Sequence, residues 1–245
     1  MKFSEVFRSK NDIKLDKKTL VILRWIAIVG QFITLNVVFF LLKFDFPFFY
    51  CLVIIFLGIG TNVYLQFKNI QSQINNLDAT VYLLYDLFQL ALLLYFTGGI
   101  TNPFAILLII PAIVSSTFLT LKSTLNLSFI TIIVLILLTI YHFPLPHSDE
   151  LHFHVPNYYL YTIPIAIIIG LVFLTYFGTR FGLETRKRSE ALNKLELVLA
   201  KEHELKTIGV QAAAAAHSLS TPLSTIRVVV KELEKELGSK SKHVK

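Results

Sequence analysis

The chain has 245 residues, of which 54% are hydrophobic and 13% aromatic, and its formal net charge is +7. Only 16% of the residues are charged, and most of these lie near the two ends. This composition excludes an ordinary water-soluble domain and indicates a membrane protein whose basic ends face anionic lipid, so the charge does not require nucleic acid. The single cysteine, Cys51, excludes an intramolecular disulfide.

Residues 1–19 are polar and basic and are predicted to form a cytoplasmic N-terminal segment. The apolar run that follows is longer than the core of a secretory signal peptide, and it contains no small-residue cleavage site. We therefore expect this run to remain in the protein as its first membrane-spanning helix.

Six spanning helices are predicted within a transmembrane domain over residues 20–181, each close to the roughly 20 residues that a bilayer requires. Their expected ranges are 20–42, 47–67, 80–96, 103–121, 124–143 and 158–181. Basic residues precede the first span and follow the sixth, so the positive-inside rule places both ends in the cytoplasm. The predicted fold class is therefore an all-α membrane protein, with six transmembrane helices followed by a cytoplasmic coiled-coil helix.

Polar residues within the first three spans are candidates for contacts between helices. Arg24 and Trp25 are interpreted as anchors at the membrane interface. Asp86 is the one acidic residue well inside a span, with Gln89 one turn further on, and it is expected to face the bundle interior. Its expected hydrogen-bond partners are Tyr82, Tyr85 and Gln89. A structural contact and a proton-coupled or ligand-sensing group remain equally favoured interpretations of Asp86.

The stretch from Gly98 to Phe104 predicts a tight external hairpin between the third and fourth spans. The two glycines suit a left-handed end of the third helix, Asn102 suits the N-cap of the fourth, and Pro103 suits its first position. The freed N–H groups at this helix end are suited to hold a carbonyl or an anion, and the flanking Phe96 and Phe104 to stack on a flat ring. The alternative is that the stretch is simply a well-formed turn.

The pattern Gly-Gly-x-x-Asn-Pro-Phe resembles the RegB/PrrB-type redox-responsive sensor histidine kinases, as do Asp86 and Gln89 upstream and the opening with Arg24-Trp25 and Gly30-Gln31. The resemblance covers about residues 23–237. It implies a homodimer in the bacterial inner membrane with a cognate response regulator, which senses the redox state of the quinone pool. It also implies that ubiquinone binds at Gly98, Gly99, Asn102, Pro103 and Phe104.

The predicted external loop between the fifth and sixth spans is rich in potential metal ligands. They are His142, His147, Asp149, Glu150, His152 and His154. Such residues bind transition metals in some proteins, but more often they keep a loop soluble. The soluble loop is favoured, and no metal site is predicted.

The chain becomes charged and helical after residue 181. Residues 182–204 are predicted to form a coiled-coil linker, and residues 205–237 the first helix of a dimerisation and phosphoacceptor domain. The apolar seams are Leu192, Leu195, Leu199; Leu205, Ile208, Ala212, Ala215, Leu219; and Leu223, Ile226, Val230, Leu233, Leu237. Two parallel copies are expected to transmit a shift in the membrane along this helix. The alternative is a passive dimerisation stalk.

The stretch from Ala212 to Leu223 carries the predicted chemistry. His217 lies off the seam, so its imidazole is expected to face solvent, where it is nucleophilic at neutral pH. The pattern resembles the phosphoacceptor box of sensor histidine kinases, which implies that His217 accepts phosphate, with Ser218, Thr221 and Pro222 completing the box. Most such kinases have Glu or Asp where this chain has Ser218, which is a poor base.

Residues 238–245 are expected to form a polar tail, and no ATP-binding domain is predicted in this chain. ATP and Mg²⁺ are therefore expected to act only through a kinase domain supplied elsewhere. The predicted function is that of a membrane-bound sensor histidine kinase that passes phosphate from His217 to a response regulator. One alternative is a non-catalytic adaptor that dimerises with a full-length kinase and modulates it, and another is a small transporter.

Overall fold

A computed structural model describes residues 15–67, 74–147 and 156–240. Within these ranges all named secondary-structure elements are helical, which confirms the prediction of an all-α fold. The basic N-terminal segment up to residue 14, Lys68 in the second connection and the last five residues of the polar tail lie outside the described residues.

Six α-helices and three shorter helical turns make up the described chain. In order they are α1 (Lys17–Asn36) with a π-helical turn (Val37–Leu41), α2 (Phe48–Phe67), α3 (Asn76–Phe96), two 3-10 helices (Gly99–Thr101 and Pro103–Ile109), α4 (Ile110–Phe118), α5 (Leu121–Ile140) and α6 (Asn157–Lys240). These elements fall into two compact units, Met1–Lys187 and Arg188–Lys245.

Five helices in the described ranges are long and apolar enough to cross a membrane. The fourth expected span has fewer residues than the other five, since its helical part is Pro103–Phe118, and it combines the 3-10 helix Pro103–Ile109 with α4. A 3-10 helix rises about 2.0 Å per residue, so the segment Pro103–Phe118 extends about 28 Å and approaches the hydrocarbon thickness of a bilayer. Pro111 has no N–H to donate to the carbonyl of Leu107, which instead accepts from the N–H of Ile110 in the tighter 3-10 pattern.

The core of the first unit surrounds α3. This helix packs against α2, α4 and α5. Its residues Leu87 and Leu94 are buried together with Leu108 and Leu135. Hydroxyl groups connect the same helices, since the Oγ1 of Thr80 donates to Ser123 on α5 at 3.0 Å. Small and hydroxyl-bearing residues are the usual contacts between helices in lipid, where apolar burial alone gives little driving force.

The second unit consists of the remainder of α6. All described side chains from Ala191 to Leu233 are exposed in the single chain. The residues of the predicted apolar seams up to Leu233 are among them, and Leu205 and Leu219, for example, are about 60% exposed. A helix with such a continuous apolar stripe leaves a large surface for a partner.

We predict that Gly182→Ala lowers stability whereas Gly170→Ala does not, although both glycines lie on α6. A Cβ at Gly182 would lie 2.6 Å from the backbone oxygen of Thr117, whereas nothing lies within 4 Å of a Cβ at Gly170. Both substitutions gain the same helix propensity, so their difference measures the contact. We expect a loss of about 1–3 kcal/mol for Gly182→Ala in a denaturant titration of the purified protein. Equal unfolding curves would show that α6 does not pack closely on Thr117.

Candidate functional site

A buried ion pair connects α1 and α3. The Nε of Arg24 donates to the Oδ1 of Asp86 at 2.8 Å, and its Nη2 donates to the Oγ1 of Thr61 on α2 at 2.8 Å. The side chain of Arg24 is 2% exposed and that of Asp86 is 25% exposed. The guanidinium therefore joins three helices at one level of the bundle.

This arrangement corrects two predictions. Arg24 is not an interface anchor, because it is buried in the bundle. Asp86 accepts its hydrogen bond from Arg24 and not from the expected partners. The ring centroids of Tyr82 and Tyr85 lie 5.6 and 5.4 Å from the Cζ of Arg24. The pairing was missed because the two charges are 62 residues apart in sequence. Opposite charges on two different spans were the available signal, since charges in a membrane usually pair.

A second polar bridge lies further along the same helices. The Nε2 of Gln89 on α3 donates to the Oε1 of Gln31 on α1 at 3.3 Å. Gly58 on α2 lies against this bridge, and a Cβ at that position would collide with the amide of Gln89. Asp86 and Gln89 of the predicted polar site therefore both bond to residues of α1.

The hairpin after α3 has the geometry that its sequence predicts. Gly98 and Gly99 have φ angles of +110° and +55°, in the left-handed region that favours glycine. The Oδ1 of Asn102 accepts from the N–H of Phe104 at 2.9 Å, as expected of an N-cap. Its Nδ2 donates to both the carbonyl and the Oγ1 of Thr97, each at 2.9 Å. Both polar groups of Asn102 are therefore engaged within the turn.

The two hairpin glycines face the connection that follows α5. A Cβ at Gly98 would collide with Leu145, and one at Gly99 would collide with His142. The predicted ubiquinone residues therefore divide into two sets. The glycines make close packing possible, whereas the members that line the adjacent cavity are Asn102, Pro103 and Phe104.

A cavity of about 750 Å³ lies between α1, α3 and the 3-10 helix that begins at Pro103. Its walls are largely apolar, and its polar lining residues include Arg24, Gln31, Asp86, Gln89 and Asn102. Its lining residues Asp86 on α3 and Thr97 at the end of that helix are about 16 Å apart at the rise of an α-helix. Exposed apolar residues of α1 and α4, such as Ile26 and Ile110, also line the cavity. It is therefore open on helix faces of the kind that meet lipid.

One donor of Arg24 is without an acceptor. In the described part of the chain, the Nη1 of Arg24 is buried and has no hydrogen-bond partner. Buried polar groups are nearly always paired, because leaving one unpaired costs about 1–3 kcal/mol, and more for a charged group. This nitrogen is shielded from solvent, so it is an unpaired donor inside the packed bundle and not a contact point for a ligand in the cavity.

The predicted phosphoacceptor box lies on α6 in the second unit. His217 is exposed, so its imidazole is accessible to a second molecule. The hydroxyl of Ser218 donates to the carbonyl of Ala215 at 2.9 Å, and is therefore directed to the backbone. Pro222 lacks the N–H that would bond the carbonyl of Ser218 in a regular helix. The seam residues are equally exposed in the single chain, so exposure alone does not distinguish the two faces.

The histidine-rich connection is described only in part. His142 packs against Gly99, and the carbonyl of His147 accepts from the N–H of Asp45 at 2.8 Å. Asp149, Glu150, His152 and His154 lie outside the described residues. Among the residues that are described, no group of three potential ligands is close enough to hold a metal ion.

We predict that breaking the ion pair from one side destabilises the protein more than removing both charges. Arg24→Met and Asp86→Leu each leave one charge buried without its counter-charge, which typically costs about 3–5 kcal/mol. The double variant Arg24→Met/Asp86→Leu replaces the pair with apolar side chains and is expected to recover most of that loss. Denaturant titrations of the wild type, the two single variants and the double variant give the coupling free energy between the two charges. Additive losses in the double variant would show that the two charges do not stabilise each other.

The comparisons with known proteins agree with this architecture. The family model of the PilS-like transmembrane domain matches residues 19–193. The sensor histidine kinase RegB of Cereibacter sphaeroides is 36% identical over 222 residues, which cover 90% of this chain and 48% of that protein. A second RegB of the same species is 39% identical over 98 residues, which cover 40% of this chain and 21% of the relative. The chain thus spans about half the length, or less, of the curated relatives that it matches.

No solved structure matches the chain. The predicted resemblance to RegB-type sensor kinases is confirmed by these relatives for the membrane region. The apolar helices and the matched family together confirm the prediction of a multi-pass membrane protein. The chain therefore belongs to the family of proteins that carry a PilS-like transmembrane domain.

Proposed function

We propose that the chain is the sensory and phosphoacceptor part of a two-component sensor histidine kinase, and that its membrane unit detects the redox state of the quinone pool by binding ubiquinone. The observation that carries the proposal is the cavity between α1, α3 and the hairpin, which is apolar and open toward lipid. The relatives support it because both are named sensor histidine kinases.

The cavity suits a lipid-soluble ligand with a flat, uncharged ring. Its volume of about 750 Å³ is within the usual range of small-molecule sites. The rings of Phe104 and Pro103 form part of one wall, while Arg24 and Gln31 offer polar groups on α1. Ubiquinone combines a ring that carries carbonyl groups with a long apolar tail. Such a molecule enters a cavity of this kind from the bilayer without passing through water.

His217 is the proposed nucleophile of the second unit. In the proposed reaction an imidazole nitrogen attacks the γ-phosphorus of ATP, the bond to the bridging oxygen breaks, and ADP leaves. A kinase domain provides ATP and Mg²⁺, and the phosphoryl group then passes to a cognate response regulator. The exposure of His217 on α6 suits both steps, since each needs contact with a second protein surface.

The proposed protein is a homodimer in the bacterial inner membrane with both termini in the cytoplasm. Its second unit exposes an apolar stripe that includes Leu205, Ile208 and Leu219. Spacings of three and four residues along this stripe suit a parallel pair of identical helices. The basic residues Arg186, Lys187 and Arg188 follow the last apolar segment and favour the cytoplasmic side for this end.

A second candidate function is that of an adaptor that dimerises with a full-length kinase and modulates it. The hydroxyl of Ser218, which follows the acceptor histidine, is bonded to the backbone at Ala215 and provides no base for His217. An exposed imidazole without a neighbouring carboxylate is a slower acceptor. The adaptor predicts no phosphorylation of His217.

We predict that a kinase catalytic domain and labelled ATP transfer phosphate to the purified full chain, giving an acid-labile label. His217→Gln is expected to abolish the label, because the nucleophile is lost. His203→Gln is the matched control, since His203 is also exposed on α6 and lies outside the acceptor box. Label that persists in His217→Gln would contradict the assignment, and an unlabelled wild-type protein would favour the adaptor.

We predict that Gly30→Phe abolishes quinone binding whereas Gly60→Phe does not. Both glycines lie within apolar helices, and nothing lies within 4 Å of the position that a Cβ would take at either one, but only Gly30 lines the cavity. The phenyl ring at residue 30 is therefore expected to take up part of the volume of the ligand, and neither substitution meets a neighbour at its Cβ. Binding of decylubiquinone to the protein in lipid nanodiscs is followed through the fluorescence of Trp25, the single tryptophan. Equal binding by both variants would place the quinone elsewhere.

A further inference from the structure

We infer that the fourth membrane segment, Pro103–Phe118, carries the state of the cavity to α6 through a close contact at the end of α4. This inference rests on the proposed function, because it takes a quinone as the ligand of the cavity. It adds the contact through which the bound ligand acts on the helix that bears His217.

Two glycines bring α6 against the end of α4. A Cβ at Gly178 would collide with the Oγ of Ser116, and a Cβ at Gly182 would lie 2.6 Å from the backbone oxygen of Thr117. At Gly182 the backbones of the two helices therefore meet with no side chain between them. Small residues allow this close approach between helices in a membrane. At this point α4 cannot shift toward α6 without moving it.

An arginine extends the contact to the turn after α4. The Nη2 of Arg186 donates to the carbonyl of Leu119 at 3.4 Å. Arg186 and Gly182 are four residues apart, so they lie on the same face of α6. These contacts belong to the first unit and directly precede its end at Lys187. They therefore act on α6 at the point where this helix leaves the first unit.

The same segment forms a wall of the cavity. Its lining residues include Phe104, Leu107, Ile110 and Val114. Val114 and Ser116 are two residues apart on α4, which places them about 200° apart around the helix axis. A ligand against Val114 therefore presses on the side of α4 that is opposite to the contact with α6.

The cavity has no direct route to α6. In the described chain, none of its lining residues lies on this helix. The two described glycines of α6 that meet another element both meet α4. Leu171 of α6 also lies in the core of the first unit, but its contacts run through apolar side chains, which can repack. The backbone contact with α4 is thus the stiffest described link between the cavity and α6.

The winding of the fourth segment gives it more than one length. Pro103–Ile109 is a 3-10 helix, and Ile110–Phe118 is an α-helix. Each residue that changes from 3-10 to α winding shortens the segment by about 0.5 Å. Coupling between distant sites requires an element with discrete arrangements of this kind. Phe104 and Leu107 lie in the 3-10 part, so a ligand beside them contacts the residues whose winding sets the position of the α4 end.

The test measures whether decylubiquinone changes the surroundings of α6 just after this contact. A nitroxide is attached to Ser189→Cys in a Cys51→Ala background, since Ser189 is exposed and Cys51 is the single native cysteine. EPR spectra of the full chain in nanodiscs are recorded without quinone and with saturating quinone. Binding is followed separately by the fluorescence of Trp25. Quinone is expected to change the mobility of the label when the contact is intact.

Two glycine variants of α6 isolate the contact. Gly182→Leu is expected to abolish the spectral change at saturating quinone, because its side chain separates α6 from α4. Gly170→Leu is the matched control and is expected to keep the change, since nothing lies within 4 Å of a Cβ at Gly170. If Gly182→Leu does not fold, Gly182→Ala replaces it with Gly170→Ala as its control. The methyl group already enters the contact, so a spectral change at least about twofold smaller is expected.

The two readouts separate this inference from the proposed function. An unaltered spectral change in Gly182→Leu, or in its replacement, would overturn the route through α4 and leave the quinone sensor intact. Equal losses in the Gly182 and Gly170 variants would also overturn the route, as would bound quinone that never changes the label. A protein whose Trp25 fluorescence reports no quinone binding would overturn the proposed ligand and this route together.

Discussion

Two charges buried in an apolar environment determine how the first three helices are arranged. Arg24 and Asp86 meet at 2.8 Å, and in a medium that solvates neither of them each requires the other. Their contact holds Arg24 of α1 and Asp86 of α3 at the same level of the bundle. Thr61 extends the constraint to α2, and the bridge between Gln31 and Gln89 repeats it further along the same helices. The cavity exists because α1 is held against α3 through these polar contacts.

The hairpin after α3 determines another wall of the cavity. Asn102 caps the 3-10 helix and also bonds to the end of α3 through Thr97, so its side-chain amide is paired within the turn itself. Its glycines permit the connection after α5 to pack closely, with Leu145 and His142 in contact. In the proposed sensor the apolar surface of Pro103 and Phe104 forms this wall of the quinone site.

Features that depend on neighbouring residues were predictable from the sequence, and contacts between distant residues were not. Apolar runs of about 20 residues identify spans, and the glycines, Asn102 and Pro103 identify a left-handed turn and a cap, because each depends on neighbouring residues. The partner of Asp86 depends on how helices pack, and no local pattern reports it. The 3-10 winding of the fourth segment was also missed, although Pro111 marks where a regular helix loses a donor. The face that His217 presents to a partner depends on how a second chain packs, since this part of α6 is exposed on all sides in the single chain.

The winding of the fourth segment has a geometric consequence for whatever lies beside it. With three residues per turn, side chains three apart stack directly above one another, whereas on an α-helix they drift around the axis. Phe104, Leu107 and Ile110 follow this spacing, and all three line the cavity. They form a straight apolar rail that runs along the segment. In the proposed sensor such a straight apolar surface suits contact with the extended hydrocarbon tail of the ligand along this segment.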